Sequence, residues 1–214
     1  MGRNAGGNVY ASLGKKEVAI SSTGEELTSE EKAHMLYTQE SLSSLEHREV
    51  TLQLQKAISR YEVVMGIRER KIRVAELPNG YFGATLVNED GSYGVYLNKK
   101  FFNRHRNEVE GDYKKQYTTG YKNKTNKPIQ HTITHELAHA TWNSGYSKPK
   151  YIGAGNEIRS LYGKWKKDTN KSGYGTYATK NVNEFWAEVI AKGIHGKSDH
   201  YTRKAIYIAK KYKL

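Results

Sequence analysis

The amino-acid sequence predicts an α+β domain, a small twisted and mainly antiparallel sheet packed on helices, with a long helix ahead of it. Three observations lead there. Residues 71–97 alternate apolar and polar side chains with a period of two and are broken by turn residues. The stretches 28–66, 129–143 and 179–212 carry helix caps and helical spacing instead. The chain has 214 residues, of which 36% are apolar, and its 17 Tyr and 3 Trp supply bulk enough for one modest core.

Taken in order, residues 1–27 are rich in Gly, Ser and Asn without apolar periodicity, which reads as a flexible arm. Thr28 and Glu31 form a capping box, and Leu42, Leu45, Leu52, Ile58 and Tyr61 give an imperfect apolar stripe, so 28–66 reads as one long N-terminal helix ending near Gly66. A sheet-and-helix domain fills 70–214. Ile72, Val74 and Leu77 alternate with polar residues, Pro78-Asn79-Gly80 turns the chain into Tyr81 to Val87, and Asn88 to Gly91 turns it again into Tyr93 to Leu97, a three-stranded meander. Residues 99–128 are polar and basic and read as a long loop or lid, whose Tyr113, Tyr117 and Tyr121 stand among lysines. After Pro128 a helix spans Ile129 to Asn143 with Gly145 as its stop. A short helix follows around Glu157 to Trp165, another starts after Thr179 or Asn181, and a last one capped by Ser198 runs through Tyr212.

Composition excludes several classes. With no Cys, a disulfide framework, a zinc ribbon and a cysteine nucleophile are all ruled out, and any metal site is built from His and carboxylates. No stretch approaches the roughly 18 apolar residues of a spanning helix, and Met1 to Lys16 lacks the apolar run of a secretory signal. The expected location is cytoplasmic or virion-associated, with no membrane partner. The net charge is +13, distributed unevenly: net −3 over residues 1–50, +6 over 99–127 and +5 over 197–214. Such an excess favours polyanions, nucleic acid included, as a non-specific partner.

The most informative residues are His135-Glu136-Leu137-Ala138-His139. On a helix the two histidines lie one turn apart on one face and both reach a single zinc ion, while Glu136 at the edge of that face is placed to take a proton from a water on the metal. A continuation to a third histidine on the same helix fails, because Trp142 and Gly145 stand where glycine and histidine are needed. The remaining third ligand is a downstream carboxylate or histidine. Glu184 and Glu188 are four apart, hence on one helix face, and two carboxylates there call for a cation nearby. Glu188 could instead pair with Lys192 in solvent; His131, His195 and His200 are spare, and His195 is the rival third ligand.

His135-Glu136-x-x-His139, followed by Tyr177-Ala178, Glu184 and Ala187-Glu188, resembles the anthrax lethal factor-like zinc peptidases, a gluzincin group that includes the Pro-Pro endopeptidases, and similar domains occur in bacteriophage head and virion proteins. The resemblance covers about residues 70–196. It implies a zincin-like metallopeptidase domain with one Zn2+ per chain held by His135, His139 and Glu184, Glu136 as general base, Tyr177 as donor to the transition state and Glu188 behind the ligands. The expected activity is zinc-dependent hydrolysis of a protein or peptide substrate, which adds to the Tyr93 to Leu97 strand as the cleft edge. Two alternatives stand beside it. One is a basic virion or head-associated protein that meets phage structural proteins or packaged DNA and carries the zincin as a structural module. The other is a zinc hydrolase of peptidoglycan peptides.

Overall fold

The computed structural model describes residues 18–21, 27–66, 71–87, 93–146 and 151–214. It is mixed α+β and mostly helical. The expectation for residues 1–27 falls largely outside the described residues; within it, Val18–Ser21 forms a strand, β1.

The stretch expected as one long helix is two. The capping box closes as the sequence predicts, with Thr28 Oγ1 accepting from the Glu31 amide and Glu31 accepting from the Thr28 amide, but the helix it starts, α1, covers only Ser29–Tyr37. Thr38 donates its hydroxyl back to the His34 carbonyl, Glu40 exchanges two backbone hydrogen bonds with Val74, and Leu42–Ser44 form a 3-10 turn in which Ser44 bonds the Ser41 carbonyl. Local side-chain hydrogen bonds of this kind compete with the helix, and the serine run supplies them. The chain then resumes as α2, Arg48–Met65, and stops at Gly66, whose φ of +70° is open to glycine at little cost.

Strands β2 (Lys71–Ala75), β3 (Gly83–Val87) and β4 (Tyr93–Asn98) join β1 in a sheet of order β1-β3-β4-β2. β1 with β3 and β3 with β4 are antiparallel, whereas β2 lies parallel to β4. The meander is therefore corrected: alternation fixes which face a side chain takes and leaves the neighbour of each strand open. β4 is also no cleft edge, since its backbone is paired on both sides. The turn at Asn79-Gly80 forms as expected, with Gly80 at φ +90°; the turn expected at 88–91 lies outside the described residues.

Residues 99–128 are not a loop. Asn98 caps a short helix α3, Lys99–Phe102, and α4 spans Arg106–Thr118. Two features make α4 a helix despite its polarity: the ion pairs Arg106 to Glu110 and Asp112 to Lys115 at helical spacing, and the burial of Val109 and Tyr113 on one side. Four further helices follow. α5 spans Pro128–Tyr146 and α6 spans Ile152–Lys167, longer than the Glu157 to Trp165 expected. After a 3-10 turn at Thr176–Thr179, α7 runs Val182–His195, its first amides accepted by Asn181, and α8 runs His200–Tyr212. Asp199, not Ser198, caps α8, accepting the Thr202 amide at 2.9 Å, since a carboxylate binds the positive helix start more strongly than a hydroxyl.

α5 is the axis of the core. The Leu137 side packs on α2, where the buried Tyr61 hydroxyl donates to the Leu137 carbonyl at 3.0 Å and also meets Thr141. α7 packs on another side, where Trp186 Nε1 donates to the Ala138 carbonyl at 3.0 Å. The sheet covers a third, and Thr85 of β3 bonds the Glu136 carbonyl. Histidines two residues from Leu137 along α5 therefore turn away from α2, toward α7.

Candidate metal centre

Three side chains converge between α5 and α7. His135 Nε2 and His139 Nε2 are 3.0 Å apart, and Glu184 Oε2 lies 3.2 Å from each. All three residues are at most 2% exposed. The helical spacing puts the imidazoles on one face of α5, and the Asn181 cap starts α7 so that Glu184, in its first turn, points at them.

The triangle fits a metal ion. Tetrahedral zinc with bonds of about 2.0–2.1 Å separates N and O ligands by roughly 3.3 Å, close to the 3.0–3.2 Å edges found. Charge gives the same answer. Glu136, Glu184 and Glu188 are all buried around the centre, and the buried Lys122 ammonium lies 3.7 Å from Glu188, so with all three carboxyls ionised and the imidazoles neutral two negative charges are left for a divalent cation to balance. Buried His135, His139 and Glu184 can thus hold a metal ion.

Glu188 sits behind the ligands. Its Oε2 is 3.1 Å from His131 Nε2, and its Oε1 faces His135 Nδ1 at 3.1 Å, poorly aligned for a hydrogen bond, with Lys122 Nζ at 3.7 Å. A carboxylate there favours a proton on Nδ1 and leaves Nε2 as the lone pair that faces the centre. The solvent-facing alternative is overturned: Glu188 is buried, and Lys192 donates instead to Asp199 and the Ser172 carbonyl. Burial works against charge on Glu188, but His131 and His135 outweigh it and hold the carboxyl well below its usual range; His139 and His135 do the same for Glu184. Burial and Lys122 disfavour charge on His135, yet Glu184 and Glu188 prevail and raise its pKa to about 9.

Glu136 and Tyr177 border the same space. Glu136 lies under β3 so closely that a Cβ on Gly83 would sit 2.7 Å from its Cγ. Its Oε2 finds no hydrogen-bond partner among the described residues, and burial raises its pKa. Tyr177, in the 3-10 turn, packs its ring 5.8 Å from that of His135, and its hydroxyl is likewise unpartnered among the described residues. Burial, then the carboxylates of Glu184 and Glu136, keep the phenol protonated far above its ordinary range.

His195, the rival ligand, is not part of the centre: its Nε2 meets Thr134 Oγ1 at 2.7 Å. Sequence reasoning missed three contributors. His131 reads as spare beside the His135–His139 motif, although the spacing His131, His135, His139 repeats every four residues along one helix face. Lys122 packs its ammonium 3.5 Å above the Tyr177 ring. Asn123 accepts the Gly175 amide at 2.8 Å and donates to the Glu188 carbonyl at 3.2 Å, which ties the segment after α4 to both functional stretches. No local signal marks Lys122 or Asn123, because only the tertiary fold brings them to the centre.

Comparison of the chain with protein-family models, with curated proteins and with solved structures finds no match. Among the described residues no helix is long and apolar enough to cross a membrane.

Proposed function

We propose that the chain is a zincin-like, zinc-dependent endopeptidase, and the observation that carries this reading is the buried triangle of His135, His139 and Glu184 with an unpartnered Glu136 carboxylate and Tyr177 phenol beside it. Bound zinc supplies a Lewis acid that polarises the scissile carbonyl and acidifies water. Glu136, with its raised pKa, accepts the proton from that water and returns it to the departing amine. The Tyr177 phenol, kept neutral, donates to the oxyanion of the tetrahedral intermediate. Glu188 and His131 would hold His135 in the orientation that turns Nε2 toward His139 and Glu184, where the three residues would hold the ion.

Near-complete burial supports a second reading, in which the same ion is a structural staple and no peptide enters. One experiment separates the two: digestion of a proteome-derived peptide library by the zinc-loaded protein, with Glu136→Gln as the matched control and products read by mass spectrometry. Cleavage by the wild type alone supports the peptidase. Zinc retention by both proteins with no cleavage favours the structural ion.

A further inference from the structure

The basic excess of this chain is not spread evenly over its surface once ion pairs are counted. Of the nine cations in residues 99–127, six have a carboxylate within reach: Lys99 with Glu40, Lys100 with Glu76, Arg104 and Lys115 with Asp112, Arg106 with Glu110, and the buried Lys122 with Glu188. That segment, the most basic by sequence, is largely neutralised by folding.

Helices α6 and α8 are the opposite case. They lie side by side and antiparallel, since Tyr201 at the start of α8 bonds Asp168 just past the end of α6 at 2.7 Å, and Tyr212 at the end of α8 bonds Glu157 near the start of α6 at 2.9 Å. Together they carry eight Lys or Arg and a single carboxylate, Glu157, which Lys204 and Lys211 already share. Lys164, Lys167, Arg203 and Lys210 are exposed and have no carboxylate partner among the described residues. The apolar side of α8, with Ala205, Ile208 and Ala209, is buried against the body, so what faces outward is cationic, with Tyr207 beside Lys204. Both helices pack on α7, Tyr162 and Trp165 of α6 against Phe185 and Ile206 of α8 close to Gly193.

We propose that the α6–α8 face is a docking surface for the phosphodiester backbone of double-stranded nucleic acid. Four uncompensated cations on two parallel-sided rods match a regular polyanion by charge alone, without base readout. A membrane surface fits less well, because the apolar side that an interfacial helix would insert is already used in the core. The proposal is independent of the metal centre, which α7 presents on its α5-facing side.

The test is fluorescence anisotropy of a 24-base-pair random-sequence DNA duplex titrated with the full chain at several salt concentrations. Wild type should bind with a dissociation constant of roughly 1–100 μM near physiological salt, with log K falling against log salt at a slope of about −3.6. Combined Lys164→Glu, Lys167→Glu, Arg203→Glu and Lys210→Glu should abolish binding while thermal unfolding stays cooperative. Should that variant misfold, Lys164→Gln with Lys210→Gln should lower the slope by about 2. Lys114→Glu, Lys124→Glu and Lys127→Glu together should bind as wild type does. The proposal is overturned by absence of duplex binding, by retention in the first two variants, by loss in the third, or by binding to phosphatidylserine vesicles with none to DNA.

Discussion

His131 Nε2 lies 3.1 Å from Glu188 Oε2 in a fully buried pair, one helical turn ahead of the histidine that faces the metal centre. The pair fixes the carboxylate whose other oxygen faces His135, so two residues outside the triangle of His135, His139 and Glu184 bear on the orientation of one within it.

The first prediction concerns that pair. His131→Ala and Glu188→Gln should each weaken zinc affinity by about 10–100-fold, as loss of supporting partners does elsewhere. Competition with a chromophoric chelator measures it. Unchanged affinity in both would leave the pair a packing feature only.

Backbone contact makes the second. A Cβ on Gly175 would lie 2.2 Å from the Tyr121 carbonyl oxygen, in the short pairing where Thr176 and Tyr177 donate to Gly120 and Tyr121. Gly175→Ala should cost roughly 2–3 kcal/mol, because backbone rather than a pliable side chain must move. It should also displace Tyr177 and lower turnover further than zinc content. Denaturant unfolding with parallel metal analysis tests both parts.

His195 supplies a pH dependence. Burial, reinforced by His131, Arg60 and Lys127, lowers its pKa to about 3, so the folded chain refuses a proton that the unfolded chain accepts near 6.5. Stability is therefore full above about pH 6.5 and falls as pH drops through the window toward 3. Between pH 7.5 and 5.5 the loss from this residue should be about 1.4 kcal/mol, and His195→Gln, which can keep the Thr134 hydrogen bond, should lose that much less than wild type in urea titrations. Equal losses in the two proteins would contradict a neutral buried His195.

Legibility in the sequence followed the range of the interaction. Local signals served well: the Thr28 cap, the Gly66 stop, the Asn181 cap and the one-turn spacings of His135 with His139 and of Glu184 with Glu188 involve residues a few positions apart. Signals that depend on partners far along the chain failed. Glu40 breaks the N-terminal helix by bonding Val74, and β2 finds β4 instead of β3. In the sequence Lys122 is one lysine of a basic run; in the fold it is a buried counter-charge to Glu188.

Metal stoichiometry by native mass spectrometry tests the central claim most directly, on the wild type, Glu136→Gln and Glu184→Ala after zinc loading and dialysis. One ion per chain in the first two and none in the third is the result that the triangle of His135, His139 and Glu184 predicts. A Glu184→Ala protein that keeps its zinc, or a wild type that takes up none, would contradict it.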